Sequence, residues 1–336
     1  MRIVQVVPHM PPPAEGVGSY AQELGRALAE RRGIETVFHA AAVPPPRRRA
    51  AALEEALARA EPAAVLLHYA NYGYQRRGCP FWLLRALRRW RRGGPGRRLV
   101  TVFHEVYATG PPWRSSFWTQ PLQKGIAAGT ARASDALVTS LDLWVHRIGS
   151  AAAPEKTAVT PVFSTVGEPA AVPSLAARAP RLVLFGGRGA RGRAYGELGD
   201  ALSAACRALG VHEIADVGPP LDTPRDEAGG VPVRRFGVLP AAEAGALLLE
   251  SRAGFVAYPP FFLPKSTIFA AYCAHGVLPV CAWPRPVPDG EVAAGRHYLC
   301  PGGDGDFQAI ASAARAWYDS HSLSRQTELF HRFLAP

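Results

Sequence analysis

YPPFFLPKSTIFAAYCAHGVLPV, residues Tyr258–Val280, is the stretch on which the fold turns. The apolar run Gly254–Tyr258 ends in prolines, Lys265-Ser266-Thr267 precedes a short apolar helical pattern, and that pattern stops at His275-Gly276. A second apolar run, Val277–Ala282, follows at once. Strand, loop, helix, glycine and strand in that order predict a βαβ unit, whose two strands are parallel. Ser266 or Thr267 can cap the free N–H groups of the helix, with Lys265 beside them. Such a terminus gathers partial positive charge and exposed donors, which suits an anion. Lys265, Ser266 and Thr267 are therefore candidate contacts to a phosphate-bearing ligand, although an ordinary capped helix with a surface lysine has the same sequence.

The amino end repeats the arrangement. MRIVQVVPHMPPPAEGVGSYAQELGRALAERRG holds a buried strand over Ile3–Val7, then a loop rich in Pro and Gly. The helix after it carries Tyr20, Leu24, Ala27 and Leu28 on one face and Glu23, Arg26 and Glu30 on the other. Gly16 and Gly18 sit where loop becomes helix and let a ligand approach the backbone closely, so they join the donor-side candidates. The dinucleotide fingerprint is absent, because its third glycine and the acidic residue after the second strand are missing.

With 336 residues, 48% of them hydrophobic, the chain has apolar content for two cores. A net charge of +11 and a pI near 9.8 would suit nucleic acid. The excess, however, is concentrated in Arg47–Arg49 and from Arg85 to Arg98, without zinc-finger spacing or an RNA-binding aromatic signature. No nucleic-acid partner is expected; an anionic small molecule or membrane surface accounts for the same charge. Five scattered cysteines (Cys79, Cys206, Cys273, Cys281, Cys300) lack metal-ligand spacing and read as reduced thiols of a cytoplasmic protein. Met1 runs straight into a core strand, so no signal peptide is expected. No apolar run approaches the ~20 residues of a membrane span.

Further strands are predicted at Thr36–Ala40, Ala64–His68, Leu99–Phe103 and Ala136–Thr139. A stretch rich in Ala, Pro, Glu and Arg, roughly Gly167–Pro180, breaks the pattern as a linker. The second half restarts at Arg181–Phe185 and continues with strands at Glu213–Val217, Val233–Phe236, Gly254–Tyr258 and Val277–Ala282. Strands alternating with helices predict an α/β protein with parallel sheets covered on both faces. The expected architecture is two Rossmann-like domains facing a cleft at the carboxyl ends of their strands. The expected division is 1–166 and 178–315, with a helical tail over 316–336 that crosses back to the first domain.

PPPAEGVGSYAQELGRAL, LVTVFHE, RLVLFGGRGARGRAY, VPVRRFGVLPAAEAGALLLESRAGFVAYPP and AAYCAHGVLPV follow one another along the chain. In these five pieces it resembles the GT-B glycosyltransferases, in the broad retaining, nucleotide-sugar-dependent group (glycosyltransferase family 4-like). The resemblance covers most of the chain. It implies a hexosyltransferase that moves a sugar from a UDP- or GDP-sugar donor to a hydroxyl acceptor, without metal or cofactor. It also implies an acceptor domain first, a nucleotide-sugar domain second, and His104 of LVTVFHE near the donor sugar. The group's Glu-x7-Glu pair would fall at Leu263 and Ala271, so both carboxylates are absent.

His104 and Glu105 end a buried strand ahead of a loop with Tyr107, Trp113, Phe117 and Trp118. His104 is the candidate catalytic group, and Glu105 orients it or acts as a base. Arg188, Arg191 and Arg193 follow the first strand of the second domain in a glycine-rich loop. Guanidinium groups there suit a diphosphate leaving group, with Arg188 and Arg193 favoured. His68, Tyr69, Asn71 and Tyr72 end another first-domain strand and are assigned to a saccharide acceptor.

Around the arginine run, Phe81, Trp82, Leu83, Leu84, Leu87 and Trp90 oppose Arg85, Arg88, Arg89, Arg91 and Arg92 on one predicted helix. That is the makeup of an interfacial helix and suggests a peripheral enzyme at the inner face of a membrane. A lipid-linked saccharide in exopolysaccharide or cell-envelope assembly would then be the acceptor. A helix packed on its own core shows the same pattern. Two other functions stay open: a GT-B-shaped partner subunit that lost catalysis with its carboxylates, and a sugar-nucleotide epimerase of similar architecture.

Overall fold

The computed structural model describes residues 1–11, 16–285 and 290–335. Residues 12–15 of the PPPAEG segment lie outside them. The chain divides into two compact units, Met1–Pro161 with Leu323–Pro336 (unit 1) and Val162–Ser322 (unit 2).

The strands of unit 1 are β1 (Arg2–Val7), β2 (Glu35–Ala40), β3 (Ala64–Tyr69), β4 (Arg98–Phe103), β5 (Ala136–Thr139) and β6 (Thr157–Val159). They form one parallel sheet in the order β2-β1-β3-β4-β5-β6, with Ile3 opposite both Thr36 and Ala64. Unit 2 contains β7 (Ala179–Phe185), β8 (Glu213–Val217), β9 (Glu227–Ala228), β10 (Val231–Gly237), β11 (Ser251–Ala257) and β12 (Leu278–Ala282). Their order is β12-β11-β7-β8-β10-β9, with only the short β9 antiparallel. Strands β3 and β12 are buried along their whole length, as expected where helices cover both faces of a sheet.

The helices of unit 1 are α1 (Gly16–Arg32), α2 (Arg49–Ala60), α3 (Asn71–Tyr74), α4 (Phe81–Arg92), α5 (Ser115–Ala133) and α6 (Asp142–Ile148). Those of unit 2 are α7 (Arg188–Tyr195), α8 (Gly199–Ala208), α9 (Ala241–Glu250), α10 (Thr267–Ala274) and α11 (Phe307–Asp319). Helix α12 (Leu323–Leu334) then returns to unit 1. It buries Phe330 and Leu334, and Gln326 receives the Tyr20 hydroxyl of α1 at 2.8 Å. The division therefore falls at 161/162 and 322/323 rather than at 166/178 and 316. The apolar pattern of Phe307–Phe333 runs through the turn at 320–322, which hides the break.

The expected linker is not loose. Leu175 N–H donates to Gln308 Oε1 (2.8 Å), Arg315 donates to Pro169 O (3.1 Å), and the Tyr318 hydroxyl donates to Glu168. Arg178, 4% exposed, donates to the carbonyls of Pro173, Leu248, Ser251 and His275, the last at 2.8 Å. These bonds fasten the segment to unit 2.

Two local expectations are corrected. Arg188–Arg193 do not sit in a loop but in α7; Gly186, at φ 141° with Ile268 Cδ1 2.6 Å from where a Cβ would be, makes the turn, and Ala194 anchors the helix in the core. In α4 most of the apolar side faces the protein: Leu83, Leu84, Ala86, Leu87 and Trp90 are buried, whereas Phe81 at its start is exposed. Three of its five arginines are tied within unit 1, Arg88 to Gly129 O (3.1 Å), Arg89 to Glu54 (2.5 Å) and Arg91 to Asp135. The sequence pattern of an interfacial helix is here that of a helix packed on a sheet.

Candidate functional site

In unit 2 the chain goes from β7 to β8 on one side and later adds β11 on the other. Open α/β sheets bind ligands outside the carboxyl ends of the strands at such a reversal. Tyr272 of α10 reaches into it. Its hydroxyl donates to Val183 O (2.9 Å) and accepts Phe185 N–H (3.1 Å). Gly254 makes room for the ring, since a Cβ there would lie 2.5 Å from it. Strands β7 and β11 pair as far as Val183 and Gly254, and the tyrosine hydroxyl takes up the backbone groups beyond.

Outside this stitch lies a cavity of about 210 Å³. Phe185, Ala257 and Tyr258 line it from the strand ends, Ala190 from the first turn of α7, and Lys265, Ser266, Thr267 and Ile268 from the start of α10. None of the described residues that line it is acidic. Ser266 Oγ caps α10 by accepting Phe269 N–H at 3.2 Å, so the predicted cap exists. Lys265 Nζ stands 5.7 Å from the Phe262 ring centroid.

The arginines separate. Arg191 lines the cavity but is 2% exposed, and it donates to Asp216, Gly186 O (3.0 Å) and Pro219 O. Tyr195 adds a bond to Asp216 (2.8 Å), so this buried charge is paired and structural. Arg188 is exposed and does not line the cavity. Arg193 donates to Ala257 O (3.1 Å) and lies over the Trp283 ring (4.8 Å). Beyond Arg191 a second recess of about 310 Å³ is walled by Asp216, Gly218, Pro220, Leu221, Pro224, Arg235 and Gly237. Leu263 and Ala271, where the carboxylate pair would stand, are both fully buried.

In unit 1 the strand order reverses between β1 and β3. His68, on β3, is fully buried; its Nε2 lies 2.7 Å from Gln5 Oε1 and its Nδ1 3.1 Å from His104 Nε2. Burial holds the His68 pKa well below the ordinary histidine value, and the neighbouring His104 lowers it further. His104 is half-buried and Glu105 exposed, and the backbone N–H of each points to Tyr69 O (3.0 and 3.3 Å). The structure puts Tyr69 in the core against Phe103, with ring centroids 5.1 Å apart. Asn71, 1% exposed, donates to Gln123 Oε1 (3.1 Å), and Gln123 Nε2 donates to the hydroxyls of Tyr72 (3.0 Å) and Thr119 (2.9 Å). Tyr72 alone of the four acceptor candidates is exposed. Gly18 packs on the loop after β1, where a Cβ would meet His9 O at 2.7 Å, whereas Gly16 faces open space.

Sequence reasoning missed Gln5, Gln123 and Tyr272. A polar residue inside the strand RIVQVV signals Gln5, and a glycine inside an apolar strand signals the close approach that Tyr272 makes to Gly254. Nothing in the sequence marks Gln123. Among the described residues no group of three or more His, Cys, Asp or Glu could hold a metal ion.

No protein-family model matches the chain, and no curated protein matches it. Solved structures match in fold. WaaG, a glycosyltransferase involved in lipopolysaccharide biosynthesis, aligns with a TM-score of 0.60 at 11% identity, over 99% of this chain and 99% of its own. An alpha-glucosyltransferase solved with UDP and a 13-mer DNA gives 0.54 at 11% identity, over 99% and 94%. TarM gives 0.52 at 9% identity, over 86% of this chain and 58% of its own. The fold is that of the GT-B glycosyltransferases, two Rossmann-like units with six-stranded sheets.

Proposed function

We propose that the protein is a glycosyltransferase whose unit 2 holds a nucleoside-diphosphate sugar. The observation that carries this reading is the cavity at the β7/β11 reversal, which the first turns of α7 and α10 and Lys265 line together. Helix starts and a lysine neutralise a diphosphate, and they do so most as the leaving group gains charge. The adjoining recess, with Pro220, Leu221 and Pro224 on its wall, is suited to a base. A neighbour of the same fold was solved with UDP, which supports a uridine donor. In unit 1, His104 and the Tyr72–Gln123 network are assigned to the hydroxyl acceptor.

A thermal-shift panel of UDP-, GDP-, TDP- and ADP-sugars tests the reading. One nucleotide is expected to raise the melting temperature and to be consumed when acceptors are supplied. Stabilisation without turnover would favour a binding subunit that lost catalysis, a reading supported by the apolar Leu263 and Ala271. No shift with any nucleotide would sink both.

We propose further that the acceptor is lipid-linked and met at an anionic membrane surface. The start of α5 supports this reading: Trp113 (83% exposed), Trp118 (70%) and Leu122 (52%) stand beside exposed Arg114 and Lys124. Among the described residues no helix is long and apolar enough to cross a membrane. In liposome flotation at low salt, the protein is expected to float with anionic vesicles, and the Trp113→Ala/Trp118→Ala variant to stay behind. Equal recovery of both proteins would return the acceptor to the aqueous phase.

A further inference from the structure

We infer that Gln123 is a positioning residue for Tyr72: it turns the Tyr72 hydroxyl proton away from the protein, towards an oxygen of the saccharide that receives the sugar. The inference rests on the assignment of the Tyr72–Gln123 network to that saccharide.

Gln123 is fully buried in α5, and two backbone groups fix which end of its amide is which. Ala108 N–H can only donate, and it meets Oε1 at 3.0 Å. Arg77 O can only accept, and it meets Nε2 at 2.9 Å. A flipped amide would set donor against donor at Ala108 and oxygen against oxygen at Arg77. Asn71 Nδ2 donates to the same Oε1 at 3.1 Å. Gly78 packs on both side chains, since a Cβ there would lie 2.8 Å from Asn71 Nδ2 and 2.9 Å from Gln123 Nε2.

The nitrogen that stands 3.0 Å from Tyr72 Oη is therefore a donor, and an amide nitrogen accepts nothing. Thr119 Oγ1, 2.9 Å from the same nitrogen, gives its own proton to Ser115 O at 3.1 Å. The Tyr72 oxygen receives, and its proton is left for a partner outside this network. Among the described residues Tyr72 makes no other hydrogen bond, and it is 39% exposed. Helix α3, which carries it, is pinned to the carboxyl ends of β1 and β3. The Tyr74 hydroxyl lies 3.0 Å from Val6 O and 2.9 Å from His68 O, and a Cβ on Gly73 would lie 2.8 Å from Pro8. A fixed O–H donor takes a hydroxyl, ether or phosphoryl oxygen and meets an ammonium group donor to donor, so it selects oxygen at this point of the saccharide.

Tyr72→Phe removes the proton and keeps the ring. With p-nitrophenyl hexosides as probe acceptors, it is expected to raise KM for the hexoside about three- to tenfold, with kcat and nucleotide affinity unchanged. Gln123→Glu keeps the shape and turns the donor atom into an oxygen that draws the Tyr72 proton inward. It should raise KM by the same factor in the wild type and by nothing further in Tyr72→Phe. Equal losses in both backgrounds would make Gln123 structural only and overturn the inference. If Gln123→Glu does not fold, the Tyr72 Cζ carbon-13 signal of the wild type, in equal parts of H2O and D2O, is read in its place. An outward O–H exchanges fast and gives one averaged line; two lines would mean a proton held inside the network and overturn the inference. An unchanged KM in Tyr72→Phe overturns the contact to the saccharide. If the wild type binds no nucleotide and transfers to no probe, the proposed function fails, and the carbon-13 signal alone decides the direction of the proton.

Discussion

Replacing Arg178 with methionine is expected to lower the melting temperature of the protein by about 6–12 °C, corresponding to a loss of about 3 kcal/mol. The side chain is 4% exposed and gives every N–H it has to carbonyls of Pro173, Leu248, Ser251 and His275. Methionine matches the length of the stem and none of the donors, so four buried carbonyls lose a charged partner at once. Lysine, with one compact ammonium in place of the planar fork, should recover only a part. Arg207→Met, at an exposed position of α8, is the control and should change stability by less than about 0.5 kcal/mol. A melting temperature within about 2 °C of wild type for Arg178→Met would mean that water or a backbone shift satisfies those carbonyls.

Lys265→Ala is expected to weaken binding of the cognate nucleotide at least about tenfold in calorimetric titration, since one charge-assisted contact contributes about 1.5–3 kcal/mol. Lys265 lines the cavity from the start of α10, whereas the other cation of the lining, Arg191, is spent on Asp216. The fold should be indifferent to the change because Ser266, not Lys265, caps α10. Unchanged affinity would displace the diphosphate from the start of α10.

Most of the parallel strands were legible as short runs rich in apolar residues, and with them the two-fold α/β repeat. What escaped is short or tertiary. Thr157–Val159 is a three-residue strand, below the length at which an apolar run stands out. Helix α7 was masked by glycines 186 and 187 ahead of it and 189 and 192 within it, which read as loop although Arg191 and Ala194 are buried in the finished helix. The apolar side of α4 and the exposed side of α5 could be told apart only by what packs on them: Trp90 is covered, Trp118 is not. At the site, Ser266 and Lys265 were readable because capping is local. The Gln5–His68–His104 chain was not, because three strands of unrelated sequence position bring it together.

Unit 1 is not contiguous in sequence, and this has a consequence for the order of events on the ribosome. All of unit 2, residues 162–322, is synthesised between the body of unit 1 and the helix that completes it. At the usual rates of bacterial or eukaryotic elongation that interval is about 10–30 s. Throughout it, the surface awaiting Phe330 and Leu334 is bare, and the Tyr20 hydroxyl has no Gln326 to meet. Every residue of unit 2 precedes α12 in the chain. The half of the molecule that emerges first is thus the half that finishes last, and nascent chains arrested near Ser322 combine all of unit 2 with a unit 1 that still lacks α12.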